Sequence, residues 1–138
     1  MTEITKDDCV FSADVEKTKE YYQANSICEC DYCQYFHANI RGKYPKTEAF
    51  LAEFGIDIAK PDETGPLEHD GRTLYTFVGY TVCGSIPELP EYEIDIDDTT
   101  FISICADNGS KFPNRQKGAY FSFTVFGMSL PCIPADEA

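Results

Sequence analysis

The spacing of apolar residues changes from a helical to an alternating pattern at residues 59–66, a segment rich in proline, glycine and charge. After this segment, stretches rich in β-branched and aromatic residues are separated only by turn-forming residues. Strands are predicted over four ranges: 72–84, 92–97, 100–106 and 119–130. Because no helical stretch lies between them, they are expected to pair as an antiparallel sheet.

The part of the chain before this segment predicts three short helices. Ser12 is a candidate N-cap for the first helix, which runs through the charged stretch up to YYQAN. Asp31 is a candidate N-cap for the second, which ends near Gly42. Thr47 is a candidate N-cap for the third, which ends at Gly55.

These patterns predict an α+β fold in which N-terminal short helices pack on a C-terminal antiparallel sheet of about four strands. At 138 residues the chain fits one domain, residues 1–138. Residues 1–58 are expected to be mainly helical, and residues 67–130 mainly antiparallel strands.

The chain is strongly acidic, with 24 Asp and Glu against 11 Lys and Arg and a formal net charge of −13. Such a surface repels nucleic-acid phosphates and anionic lipids, so we expect no nucleic acid and no membrane among its partners. A basic protein is the expected partner, although acidity that only keeps the domain soluble is the alternative. No stretch approaches the ~18 apolar residues of a membrane span, and no signal-like run is present, so a cytoplasmic location is expected.

The densest group of acids surrounds the segment YEIDID, residues 92–97. In a strand, Tyr92, Ile94 and Ile96 would face the core, and the acids between them would face solvent. The candidate contacts for a basic partner are Glu91, Glu93, Asp95, Asp97 and Asp98. The alternative is a solvated sheet face whose charge only discourages edge-to-edge aggregation.

Three of the seven cysteines and one of the two histidines form the pattern CxCxxCxxxH. Cys28, Cys30, Cys33 and His37 match the ligand set of a structural Cys3His zinc site. The alternative is that Cys30, Cys33 and His37 lie on the buried face of one helix, where cysteine packs as a small apolar residue.

The two interpretations of this cluster differ in where the helix begins. A start at Asp31 or later would let the four side chains converge on one ion, whereas a helix that already includes Cys30 would make the cysteines core residues. We favour the core interpretation, and therefore expect no cofactor; zinc is the alternative.

Residues 28–80 carry an ordered series of short motifs. A CxxC with a nearby phenylalanine is followed by a segment FGIDxxKPxE and by an aromatic strand that contains FVG. This order resembles a group of small, uncharacterised bacterial proteins with a CxxC-Phe helix, an LGIDxxKPxE-like segment and an aromatic FVG strand. The matching residues are Cys30, Cys33, Phe36, Leu51, Gly55, Ile56, Asp57, Lys60, Pro61, Glu63, Phe77, Val78 and Gly79. The resemblance implies a bacterial cytosolic single domain and assigns no activity.

The sequence contains no GxSxG elbow, P-loop, HExxH or dinucleotide fingerprint, so we expect no enzyme and assign no catalytic residue. The expected function is that of a small acidic cytosolic interaction protein, in its concrete form an immunity or antitoxin-type inhibitor of a basic partner. The alternatives are a structural zinc-binding module, or a domain with neither metal nor a specific partner. No pattern indicates the oligomeric state.

Overall fold

The structure, a computed structural model, describes residues 2–6, 9–24, 29–86, 91–105 and 120–132. The helices formed by these residues are α1 (Val15–Ala24), α2 (Asp31–Asn39) and α3 (Pro45–Glu53). The strands are β1 (Thr2–Lys6), β2 (Cys9–Ala13), β3 (Glu63–His69), β4 (Arg72–Ser85), β5 (Glu91–Asp95), β6 (Phe101–Cys105), β7 (Tyr120–Phe126) and β8 (Met128–Pro131). None of these three helices is long and apolar enough to cross a membrane.

The described strands all pair antiparallel, which confirms the predicted α+β class. They follow the order β1-β2-β4-β7-β6-β5, and β3 and β8 each pair with β4 outside this path. Within the described ranges the sheet therefore has eight strands rather than about four, and strands lie at both ends of the chain rather than only in its C-terminal part. β4 pairs with four of the other described strands and is the centre of the fold.

The prediction that residues 1–58 are mainly helical is wrong for the stretch that contains β1 and β2. Phe11 and Ala13 of β2 are fully buried, two residues apart as strand alternation requires. The Phe11 ring packs edge-on against Phe54, with 5.2 Å between the ring centroids, and stacks on Phe121 at 5.5 Å. Because β2 has only five residues, its alternation of apolar and polar residues is too short to be distinguished from a helix start. Its burial depends on Phe54 and Phe121, which are far from it in the sequence.

Two of the predicted strand boundaries are also wrong. The segment 59–66, predicted as a connection, already contains the start of β3, which accommodates Pro66 because β4 is its only partner among the described strands. The predicted strand 119–130 is divided into β7 and β8 at Gly127, which has a φ of 95°. A Cβ atom at Gly127 would lie 1.8 Å from the carbonyl oxygen of Thr99, so the close approach of these two segments requires glycine.

The helices begin at other residues than the predicted ones. Ser12 lies in β2, and α1 is capped instead by Asp14, whose Oδ1 accepts from the Lys17 N–H at 3.0 Å. Thr47 is buried inside the first turn of α3, which begins at Pro45, a residue whose fixed φ suits the first helical position. Thr47 cannot be the N-cap because it is the third residue of the helix, and Pro45 removes one of the N–H groups that a cap would otherwise satisfy.

One edge of β4 is completed by α1 instead of by a strand. β3 pairs with β4 as far as Gly79, and β2 pairs with it only from Gly84 onwards. Between these two strands, the Tyr22 hydroxyl accepts from the Thr81 N–H and donates to the Thr81 carbonyl, both at 2.8 Å. The Thr18 hydroxyl accepts from the Cys83 N–H at 3.0 Å. Two side chains of α1 therefore satisfy buried backbone groups that would otherwise be orphaned.

The carboxylate of Asp62 lies beside this junction and is partly buried. It accepts from the Tyr21 hydroxyl at 2.5 Å and from the Thr81 hydroxyl at 2.6 Å. Burial raises the pKa of Asp62, although both hydrogen bonds lower it in part. The charged form of this group therefore carries a desolvation cost in the folded protein.

Tyr22→Phe is expected to lower the free energy of unfolding by about 2–4 kcal/mol, because it leaves the N–H and the carbonyl of Thr81 buried without partners. Urea unfolding followed by circular dichroism measures the change. Tyr32→Phe is the matched control: its hydroxyl donates to the exposed Glu68, so its loss should cost no more than about 0.5 kcal/mol. Equal losses in the two variants would contradict the role given to α1.

Asp62→Asn is expected to change how stability depends on pH. Because the folded pKa of Asp62 is raised, its favourable contribution is complete below the unfolded pKa of about 3.9 and is lost as pH rises through the folded value. The free energy of unfolding of the native chain, minus that of the variant, should therefore fall as pH rises across this window and then level off. Urea titrations at a series of pH values test this, and a difference that rises with pH would contradict it.

Candidate functional site

The predicted partner contacts lie at one end of the sheet, in β5 and the turn that follows it. We call Glu91, Glu93, Asp95, Asp97 and Asp98 the acidic edge. In β5, Ile94 is buried, and Glu93 and Asp95 on either side of it are exposed, as the alternation predicts. Glu91 is the first residue of β5, and its side chain lies outside the described part of the structure. Asp97 and Asp98 are exposed in the turn.

The backbone N–H and carbonyl groups of β5 point alternately towards β6 and away from it. One hydrogen bond shows which residues point each way. β5 pairs with β6, and no other described strand pairs with it. Just beyond β5, the Ile96 N–H donates to the Thr100 carbonyl at 3.0 Å, so residue 96 turns its backbone groups towards the β6 side. Because alternate residues of an antiparallel strand face opposite edges, Glu93 and Asp95 turn their N–H and carbonyl groups away from β6.

Asp97 differs from the other acids because its carboxylate holds the turn together. Its Oδ1 accepts from the N–H groups of Thr99 and Thr100, both at 2.9 Å, and from the Thr99 hydroxyl at 3.1 Å. The hydrogen bond from the Thr99 N–H is the main cause that lowers the pKa of Asp97. Asp97 is therefore a structural residue of the turn. Among the described residues, no ion pair involves Glu93, Asp95 or Asp98.

The cysteine cluster lies elsewhere, at the beginning of α2. The helix starts at Asp31, and Cys30 precedes it as the N-cap, with an extended backbone (φ −66°, ψ 155°). Cys30 is exposed and Cys33 is partly exposed, so the interpretation of a buried cysteine stripe is wrong for this pair. For Cys30 the reason is the helix start, because at the N-cap position a side chain turns over the first turn rather than into the helix face.

The zinc interpretation of the same cluster stays a prediction. Cys28 lies outside the described residues. Nδ1 of His37 lies 2.8 Å from the carbonyl oxygen of Ala59, a contact that holds the ring against the chain after α3. Within the described ranges, no three His, Cys, Asp or Glu side chains are grouped so that they could hold a metal ion.

Two residues near these thiols had no signal in the sequence. Tyr75 of β4 packs edge-on against Phe36 of α2, with 4.8 Å between the ring centroids. Cys132 follows β8, and its sulfur lies 3.9 Å from the hydroxyl of Thr73, two residues before Tyr75 in β4. The alternation in RTLYTF would have placed Tyr75 inward, but only the packing of α2 on β4 places it beside the cysteines.

Comparison of the chain with protein-family models, with curated proteins and with solved structures found no match. The resemblance to the bacterial group with the CxxC-Phe helix therefore stays a prediction. What is inferred about function depends on the geometry of the acidic edge and of the first turn of α2.

Asp97→Ala is expected to speed amide hydrogen exchange at Thr99 and Thr100, because both N–H groups lose their acceptor. Asp98→Ala, which removes the neighbouring charge but none of these hydrogen bonds, is the control and should leave both rates unchanged. Since the folded pKa of Asp97 is lowered, its contribution is present above the unfolded pKa and should be lost as pH falls through the folded value. Equal exchange rates in the two variants at neutral pH would contradict this role.

Proposed function

We propose that the chain is a small acidic interaction protein of the bacterial cytosol, an inhibitor of the immunity or antitoxin type that binds a basic protein through its acidic edge. The observation that carries the proposal is the coincidence of two properties in β5. Glu93 and Asp95 present exposed carboxylates, and the same two residues turn their backbone groups towards the edge that no described strand covers.

An open strand edge binds extended segments by main-chain hydrogen bonds, and the side chains beside it select the partner. Carboxylates at alternate positions favour a segment with Lys or Arg at alternate positions, where each cation meets one acid. The whole-chain charge of −13 adds a long-range attraction that speeds association with a basic protein and repels acidic competitors. Inhibition then follows from occlusion, because the bound segment is no longer available to its own substrate.

The turn after β5 has a defined part in this surface. Asp97 fixes the turn, so that Asp98 is held at the end of the edge. The contacts expected to carry binding energy are therefore Glu93, Asp95 and Asp98, with Glu91 at the start of the strand. Asp97 is expected to act on binding mainly through the order of the turn.

The triple variant E93Q/D95N/D98N tests the electrostatic part of the proposal. Affinity capture from the bacterial host with the native chain should recover a basic protein, and its pairwise affinity is then measured by calorimetry. The triple variant should bind it at least about tenfold more weakly, because three attractive charges are removed. Affinity of the native chain should also fall as salt is raised from 0.05 to ~0.5 M.

The matched control is E3Q/E16Q/E20Q, which removes the same number of charges from exposed positions on β1 and α1. β1 lies at the opposite end of the strand order from β5. Equal weakening in the two triple variants would mean that only net charge matters, and would refute a specific edge. Binding that is insensitive to salt would refute the basic partner.

The backbone part is tested by Glu93→Pro against Glu93→Gln. Proline removes an N–H that faces the edge which no described strand covers, and it leaves the bonds to β6 intact, whereas glutamine removes only the charge. Weaker binding by the proline variant than by the glutamine variant, with unfolding midpoints that match, supports strand addition. Equal binding by the two variants would leave a purely electrostatic surface and contradict strand addition.

A further inference from the structure

The first turn of α2 holds two thiols in a geometry that the proposed inhibitor function does not use. Cys30 is the N-cap, and its sulfur accepts from the Cys33 N–H, with 3.4 Å between the two atoms. The two residues are separated by three positions, so both side chains lie on the same turn. Cys30 is exposed and Cys33 partly exposed, whereas Cys83 is buried.

The positive end of the α2 macrodipole lies at this turn. The amide groups at a helix N-terminus stabilise negative charge on a nearby sulfur, and CxxC pairs in this position have unusually reactive thiols. Glu29 and Asp31, which flank Cys30 and are exposed, oppose that effect in part. The helix terminus alone therefore does not define a reactive site, and a second feature is needed.

The second feature is the hydroxyl of Tyr75, a β4 residue whose ring packs against Phe36 of α2. Tyr75 is 1% exposed, and its hydroxyl has no hydrogen-bond partner among the described residues. Its ring lies against Phe36, which follows Cys33 by three positions on the same helix face. Because helical side chains lean towards the N-terminus, the Phe36–Tyr75 contact lies over the turn that carries Cys33.

The protonation state of Tyr75 suits it to donate. Burial is the main cause that raises its pKa, and negative charge on the surrounding tyrosines and on the thiols of Cys33 and Cys30 raises it further. The hydroxyl therefore keeps its proton and can donate it in a hydrogen bond. An unpaired buried donor is costly in a fold, and a sulfur that becomes anionic during reaction supplies the missing acceptor.

We propose that Cys30 and Cys33 are a redox-active dithiol that reduces low-molecular-weight disulfides. The Cys30 sulfur attacks one sulfur of the disulfide, so that a mixed disulfide forms and the first small thiolate leaves. The Cys33 sulfur then attacks Cys30, the Cys30–Cys33 disulfide forms, and the second small thiolate leaves. Two electrons pass from the protein to the small disulfide, and the two protons of the protein thiols pass through water to the released thiolates.

The roles of the two cysteines follow from their exposure. Cys30 is the more exposed and meets the small disulfide, and Cys33, which is less exposed, resolves the mixed disulfide. The Tyr75 hydroxyl, which has no partner while both thiols are reduced, acts as a positioning donor for the Cys33 sulfur when that sulfur is anionic. This site is on α2 against β4, whereas the acidic edge lies beyond β7 and β6, so the two proposals are independent.

The experiment equilibrates the full chain in glutathione buffers of graded ratio, traps free thiols by alkylation, and locates disulfides by peptide mass mapping. The expected result is one disulfide that joins Cys30 to Cys33. Cys33→Ser should accumulate glutathione on Cys30, and Cys30→Ser should not accumulate it on Cys33. Cys132→Ser is the control and should leave the equilibrium unchanged.

Tyr75→Phe separates a redox role from a structural one. It should slow the release of glutathione from the Cys30 mixed disulfide by roughly three- to tenfold, because the Cys33 sulfur loses its donor when it becomes anionic. Its unfolding midpoint should stay the same or rise, because the hydroxyl has no partner among the described residues of the folded protein. An unchanged rate of release would overturn the role of Tyr75.

Three results would overturn the dithiol itself. The first is about one equivalent of zinc that copurifies with the chain and protects these thiols from alkylation. The second is a disulfide that joins either cysteine to Cys28 or Cys132 in preference to its neighbour. The third is a pair that stays reduced in fully oxidised glutathione while the chain remains folded.

Discussion

The fold depends on how the backbone of β4 is satisfied along both of its edges. One edge is paired by β8 and then by β7, and the other by β3 and then by β2, but β3 and β2 leave a gap at Thr81 and Cys83. Two side chains of α1, Tyr22 and Thr18, fill that gap with the hydrogen bonds that a strand would have made. The helix α1 therefore takes the place of a strand at this edge of β4, in addition to packing on the sheet.

This junction requires both that α1 carries hydroxyl side chains and that it places them beside the unpaired backbone groups of β4. Thr18 and Tyr22 are four residues apart and therefore lie one above the other on the same helix face. That separation along the helix axis, about 6 Å, is close to the distance between alternate residues of a strand, about 6.8 Å. Alternate residues Thr81 and Cys83 turn their backbone groups to the same side, so the two periods match over this short length.

The amino-acid sequence predicts the local parts of this fold better than its connections. The alternation around Ile94 is confirmed, because successive side chains of a strand point to opposite faces and one face of β5 is buried. The exit of α3 at Gly55, with a φ of 87°, was predictable because only glycine adopts that conformation easily. β2, by contrast, is buried by Phe54 and Phe121, which lie far away in the chain, and no local window contains that information.

The candidate sites show the same division. Glu93 and Asp95 were placed outward correctly from the sequence, but their position at the edge of the sheet depends on strand order, which alternation does not contain. The choice between core and metal-binding cysteines depended on whether α2 begins before or after Cys30, a difference of one residue, and helix boundaries are the least predictable feature of a sequence.

Negative charge at a sheet edge can both prevent pairing between two copies of the chain and favour pairing with a positively charged strand. Carboxylates beside an open edge prevent two copies of the chain from pairing through β5, because like charges would face each other at every second residue. The same row attracts a strand that carries cations at the same spacing. Under the proposed function, the acids therefore do not block the edge but select what can pair with it, so that a partner would match both the two-residue period and the sign of the charge.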